Sequence, residues 1–204
     1  MNIRSLKTAA LSLLCVGSLT LTGLADPIVD TGTPDNSVGW WFSQYQYFGG
    51  QFSISSATTI NSVEGFFGNE NGTAGNVAIQ IHSDLGNAPD ALLYSDLLAM
   101  TANDPLGWHG LSGLGWNLAA GTYWVSFRPD ANIDGSMPDA APSPLATYIQ
   151  ANSGTFIPGN WSHLHVGIRI DGDAASVPDQ GSVAVMFGLA SLAGAALVRR
   201  QRRV

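Results

Sequence analysis

The tryptophans are the residues of this sequence whose chemistry is best suited to binding a ligand. All six lie in the middle of the chain. Sugar rings stack on flat aromatic faces, and nearby carboxylates or amides bind their hydroxyls, so an exposed indole would suit polysaccharide binding. We expect most of the six in the core, and take Trp41, Trp124 and Trp161 as the possible glycan contacts.

Two histidines form a second candidate site. His163 and His165 would leave the same face of a strand, and His82 or Asp84 could complete a metal site with them. Two histidines on a solvated face are the simpler interpretation. We therefore expect no metal and no cofactor.

The residue types missing from the middle of the chain limit the kinds of catalysis that are possible there. Between residues 26 and 176 there is no cysteine, no lysine and no Gly-x-Ser-x-Gly sequence, which argues against nucleophilic catalysis. Glycoside hydrolysis needs only two carboxylates at a fixed separation, so a small secreted hydrolase remains an alternative. The prediction is that the protein is not an enzyme.

Charge is unevenly distributed along the chain. Residues 26–176 hold fourteen acidic side chains against Arg128 and Arg169, a net charge of −12. Such a surface repels phosphate backbones, which argues against nucleic acid as a partner.

The middle of the chain is predicted to fold into short strands that carry these residues. Alternating apolar and polar stretches are separated by Gly, Pro and Asn, and no segment between the two chain ends is convincingly helical, although 91–100 also fits helical spacing. This pattern predicts an all-β domain over 26–170, a two-sheet β-sandwich that is jelly-roll-like, with a linker at 171–176. The expected strands are 38–48, 51–55, 58–67, 76–83, 91–100, 106–118, 122–128 and 161–170.

Three finer predictions follow from the local sequence. Gly49 and Gly50 should turn the chain between two strands of a hairpin, and residues 130–144, rich in proline, should form a long loop. In the strand 76–83, Val77, Ile79 and Ile81 should face inward.

The N-terminus has the features of a signal peptide. Arg4 and Lys7 precede an apolar stretch at 8–21 and a small-residue cleavage site, so we expect removal of residues 1–25 after Ala25. Cys15 would leave with it, and the exported protein would have no disulfide.

The C-terminus combines a polar segment (177–182), an apolar helix (183–198) and a basic tail (199–204). The 19 uncharged residues 180–198 would form a helix about 28 Å long, close to one hydrocarbon core. A core helix and a permanent anchor are the alternatives. The arginines should stop transfer with the C-terminus in the cytoplasm; they are Arg199, Arg200, Arg202 and Arg203.

This ending resembles the PEP-CTERM sorting signal of Gram-negative bacteria, in its VPD-x-G-S variant. Val183 departs from that variant, which commonly has Thr there. The resemblance implies that an exosortase, a membrane protease, removes the tail and passes the protein to the cell surface or extracellular matrix. The matching residues are Val177, Pro178, Asp179, Gly181 and Ser182.

Residues 79–89, 92–94 and 118–124 also resemble the extracellular β-sandwich modules that precede such tails, which supports the fold alone. The expectation is an exported, non-enzymatic surface or extracellular-matrix protein. It would be anchored in the membrane by the C-terminal helix before processing, and a carbohydrate-binding module is the first alternative.

Overall fold

The computed structural model describes residues 27–35, 39–157, 161 and 163–174, and its regular structure there is entirely β-strand. No helix long and apolar enough to cross a membrane occurs among these residues. The predicted signal peptide, sorting motif, C-terminal helix and arginine tail all lie outside them. The strands are β1 (Pro27–Asp30), β2 (Gly39–Ser43), β3 (Gln46–Ile54), β4 (Thr58–Asn69), β5 (Gly75–Asp84), β6 (Pro89–Met100), β7 (Gly107–Leu118), β8 (Gly121–Pro129), β9 (Asp134–Pro138), β10 (Tyr148–Asn152), β11 (Thr155–Ile157) and β12 (Ile168–Ala174).

The long strands pair in a nested pattern. β5 pairs with β6, β4 with β7, β3 with β8, and β1 with β12, all antiparallel. Further pairing gives two groups, in the orders β1-β12-β4-β7 and β3-β8-β5-β6. These four pairs are therefore nested in sequence around the connection between β5 and β6. The end of β4 also pairs with β9, and β9 pairs with β2, which connects all the strands into one large antiparallel sheet.

The core contains the inward side chains of both groups. Val77, Ile79 and Ile81 are all buried, as their alternation predicts. The ring centroids of Phe42 and Phe67 lie 4.8 Å apart, and Phe42 comes from β2. The short strand β2 is therefore tied into the core through one of its faces, which fixes the direction of its other face.

The Gly49–Gly50 turn is not present, and that prediction is wrong. The chain turns at residues 44 and 45, and both glycines lie inside β3. A Cβ on Gly49 would collide with the Val125 carbonyl oxygen, and one on Gly50 with the Leu145 side chain. The glycines serve close packing of neighbouring elements, not a reversal of the chain.

Two further predictions need correction. Part of the expected loop 130–144 is β9, which pairs with β2. The expected strand 161–170 begins only at Ile168 and runs to Ala174, through most of the expected linker. Before Ile168 the backbone bonds to loop residues: the Asp139 carboxylate accepts from the His165 amide, and the His165 carbonyl accepts from the Ala141 amide.

The expected strand 38–48 is not continuous, because the turn at residues 44 and 45 divides it between β2 and β3, and the expected strand 51–55 is the second half of β3. The expected strands 58–67, 76–83 and 122–128 are confirmed with small changes in their ends. Residues 91–100 are strand β6, not a helix, and 106–118 form the single strand β7 with an irregularity in its pairing to β4. Strands β1, β10 and β11 had no counterpart in the sequence prediction.

Candidate functional site

Trp41 presents its indole to solvent because β2 alternates. Phe42 is fully buried, and Trp40 packs against Phe48 with 6.2 Å between ring centroids. Trp41 points the opposite way and is 49% exposed. Its Nε1–H donates a hydrogen bond to Oδ1 of Asp134 on β9, so the exposed ring is held in one orientation.

Tyr45 extends this aromatic surface. It lies in the two-residue turn between β2 and β3 and is 53% exposed. Its ring centroid is 6.3 Å from that of Trp41, and the two planes differ by 31°. We call Trp41 and Tyr45 the aromatic platform. Two exposed, neighbouring rings tilted by 31° offer aromatic faces on which sugars can stack.

An acidic depression borders the Trp41 side of the platform. It has a volume of about 350 Å³ and is lined by Glu70, Asn71 and Asp134. Oε1 of Glu70 accepts a hydrogen bond from the Ser136 hydroxyl at 2.6 Å, and Ser136 lies opposite Trp41 in the β2–β9 pair. The depression therefore offers carboxylate and amide oxygens, one of which binds the Nε1–H edge of the Trp41 indole.

A larger depression borders the Tyr45 side, and we call it the Arg128 pocket. Its volume is about 500 Å³. Residues of β5 and β8 form its floor on the outer face of the sheet, opposite the core. It is lined by Gln44, Tyr45, Asn76, Ala78, Gln80, Leu97, Arg128, Pro129, Asp130, Ala131 and Ser153.

Polar side chains continue from this pocket along the same outer face, but they are buried. Ser126 is 1% exposed and His82 7%. The Ser126 hydroxyl oxygen lies 3.5 Å from Oε1 of Gln80 and 3.4 Å from Nε2 of His82. The Phe156 ring meets the His82 ring edge-on at 5.1 Å. This covered pair of Ser and His is closed to a substrate.

The surroundings of His82 disfavour its charged form. Its Nδ1 is buried and has no hydrogen-bond partner within the described part of the chain. Burial lowers the pKa of His82 below its usual 6.5, and the backbone of Asp90 opposes that effect only in part.

Trp124 is removed from the set of glycan contacts. Its side chain is fully buried, so neither face of the indole can meet a sugar. Nε1 donates to Oδ1 of Asp84 at 2.7 Å, and Gln51 donates to the same oxygen at 2.9 Å. Strand alternation does place Trp124 on the outer face, together with Ser126 and Arg128, but its side chain is buried there.

Trp161 lies apart from the platform. Its Nε1 donates to the Ile157 carbonyl at 3.4 Å, and its ring is 5.4 Å from His163. His163 in turn lies 5.7 Å from Trp40, on the face of β2 opposite to Trp41. Trp161 therefore belongs to a separate, partly buried aromatic cluster.

The hypothetical metal site of the histidines does not assemble. His163 packs between two indoles, and neither it nor His165 lies on a strand. Within the described part of the chain, no group of three His, Cys, Asp or Glu side chains could hold a metal ion.

The sequence predicts a role for Trp41 but none for its partners. Its patterns predict Tyr45 in the middle of a strand and Asp134 in a loop. Asp134 is 93 residues from Trp41, so only the β2–β9 pairing brings them together. Comparisons with known protein families and with curated proteins give no match to this chain. The geometry of the platform and its two depressions is therefore the basis for a functional interpretation.

Proposed function

We propose that this protein is an exported, non-enzymatic surface or extracellular-matrix protein that binds a polysaccharide on the aromatic platform. The observation that carries the proposal is the Trp41 indole, half exposed and fixed by its bond to Asp134. A ring fixed before binding loses little conformational entropy when a sugar stacks on it, which favours affinity.

The acidic depression supplies the polar half of such a site. Glu70 and Asn71 line it together with Asp134, the residue that binds the Trp41 indole, and their oxygens can accept hydrogen bonds from sugar hydroxyls. One oxygen of Glu70 and one of Asp134 already accept from a neighbouring side chain. We assign these carboxylates to hydroxyl binding and not to hydrolysis.

The proposed architecture is a two-sheet, jelly-roll-like β-sandwich. Its support is the nested pairing of eight strands and the resulting orders β1-β12-β4-β7 and β3-β8-β5-β6. A chain folded as one long hairpin and then rolled gives these orders. Jelly rolls include many lectins, but the fold supports many functions, so the platform carries the functional proposal and the fold does not.

The proposal that the protein is exported and sorted is supported by the sequence alone. The signal peptide 1–25 and the segment 177–204 lie outside the described residues. An exosortase-type protease would be the processing partner, with the C-terminus cytoplasmic before cleavage and the domain on the outer side. Intact mass of the exported protein, from hosts with and without the protease, tests this. Loss of the arginine-tailed segment only with the protease supports it, and a species that retains Val204 in both contradicts it.

Glycan binding is tested with the full-length chain against a panel of soluble polysaccharides. Trp41→Ala removes the stacking face and should weaken binding about fivefold or more, since stacking contributes on the order of 1 kcal/mol or above. Trp41→Tyr keeps an aromatic face and should retain most of the affinity. Leu92→Ala, an exposed residue on β6, is the matched control. Equal binding by wild type and Trp41→Ala, at equal melting temperature, would overturn the proposal.

A further inference from the structure

The described part of the chain contains two cations, and they have different surroundings. Arg169 is neutralised: its Nε lies 3.2 Å from Oδ1 of Asp30, and its guanidinium carbon lies 3.8 Å above the centre of the Trp108 ring. Arg128 is exposed and forms no ion pair with any carboxylate among the described residues. An unpaired guanidinium is unusual in a domain this rich in acidic side chains.

Asp130 lines the same pocket as Arg128, but its oxygens are engaged elsewhere. Oδ2 accepts from the backbone amide of Asn76 at 2.9 Å and from its side-chain amide at 3.3 Å. Oδ1 accepts from the Asn132 amide at 2.8 Å. Asp130 therefore caps the loop after β8 and leaves the guanidinium of Arg128 free to bind an anion.

The surroundings of Arg128 combine donors, acceptors and an apolar face. Gln44, Gln80 and Asn76 contribute amide groups, which bind hydroxyls. Tyr45 and Leu97 contribute exposed apolar surface. This mixture fits a sugar ring that also carries a negative charge.

We infer that the Arg128 pocket binds the carboxylate of a uronic acid, so that the polysaccharide recognised by the protein is an acidic one. This rests on the proposed function, because Tyr45 belongs to both the platform and the pocket. The platform would hold one sugar and the pocket the neighbouring uronate. The planar guanidinium can receive a carboxylate through two parallel hydrogen bonds, which binds the charge and fixes its orientation.

The acidic surface of the domain limits which acidic glycans can bind. At −12 over residues 26–176 the domain repels a polyanion at long range. One guanidinium can compensate one carboxylate, not a dense row of charges. We therefore expect glycans with isolated uronates to bind more tightly than fully charged ones.

The test uses matched pairs of polysaccharides with the full-length protein. Each pair is one backbone with free uronates and the same backbone with the uronates esterified or reduced, including pectins of high and low esterification and a glucuronoxylan. The acidic member of at least one pair should bind about tenfold more tightly or better, since a hydrogen bond to a charged group contributes that much. A sulfated polysaccharide is included, and a preference for it over uronates would contradict the carboxylate assignment.

The variants separate this inference from the proposed function. Arg128→Gln should abolish the preference for the acidic member, and Arg128→Lys should retain part of it. Arg169→Gln removes the same charge from a paired site and should keep the preference. If Trp41→Ala weakens all binding while Arg128→Gln changes nothing, the inference fails and glycan binding stands. If no polysaccharide binds, both fail. Melting temperatures identify any variant that is merely unfolded.

Discussion

The indole of Trp41 donates its Nε1–H to the carboxylate of Asp134, across the pair formed by β2 and β9. Asp134 thereby orients the exposed Trp41 ring, and it also lines the acidic depression. Trp41, Asp134 and Glu70 act as one unit, because Ser136 next to Trp41 in the ladder binds Glu70.

Loss of the Asp134 carboxylate should therefore weaken glycan binding, because the Trp41 ring is no longer held in place. In Asp134→Ala the Trp41 side chain loses its only side-chain hydrogen bond within the described structure and samples more rotamers. We expect glycan affinity to fall several-fold and the Trp41 indole N–H to exchange faster with solvent, measured by nitrogen-15 NMR. Faster exchange with unchanged affinity would show that the fixed orientation is irrelevant to binding.

His82 should make the fold sensitive to mild acid. Its pKa is lowered by burial in the folded protein, whereas the unfolded chain has the usual value of 6.5. As pH falls below about 6.5, the unfolded state takes up the proton first, so the free energy of unfolding falls by up to about 1.4 kcal/mol per pH unit. Urea unfolding at pH 7.5 and 5.5 measures this. His82→Gln should lose part of the difference, and an unaltered difference would exclude His82 as its source.

Gly135 should not tolerate a side chain. It lies opposite Asn69 where the end of β4 meets β9, and a Cβ there would collide with the Gly68 carbonyl oxygen. Gly135→Ala should lower the free energy of unfolding by about 1–3 kcal/mol. Gly72→Ala is the control, because no atom lies within 4 Å of its Cβ position, and it should be neutral or slightly stabilising. Equal effects of the two changes would contradict the packing described for β9.

Tyr94 and Trp116 join the two strand groups at β6 and β7. Their rings stack with centroids 5.3 Å apart and planes 11° apart, and the Tyr94 hydroxyl donates to the Asn117 carbonyl at 2.8 Å. Tyr94→Phe should cost about 0.5–1.5 kcal/mol for the hydrogen bond alone. Tyr94→Ala should cost clearly more, because the stack is lost as well. Chemical unfolding measures both, and equal costs would mean that the stack contributes nothing.

The strands that could be predicted are those whose faces differ in polarity. In β5 the alternation around Val77, Ile79 and Ile81 reflects one buried face, and the prediction is confirmed. A glycine pair is ambiguous by contrast, since it marks either a turn or a close approach. Gly49 and Gly50 mark a close approach, because the carbonyl of Val125 and the side chain of Leu145 lie where their Cβ atoms would be.

The candidate site, like the fold, could be predicted only in part. The sequence identifies tryptophan as the residue type that could bind a glycan, but it does not separate Trp41 from Trp124, because both lie on outward positions of strands. The buried Trp124 binds Asp84, 40 residues away, and the exposed Trp41 binds Asp134, 93 residues away. The role of Arg128 could not be predicted from the local sequence, because this residue is distinguished only by forming no ion pair with a carboxylate among the described residues.

The most direct test of glycan binding follows the indole N–H signals of the full-length, nitrogen-15-labelled protein during titration with a polysaccharide that binds it. If a glycan stacks on the platform, the Trp41 signal shifts with saturation, the Tyr45 ring signals shift with it, and the buried Trp124 signal stays in place. A titration that shifts Trp161 or other indoles and leaves Trp41 unmoved would contradict stacking on the platform.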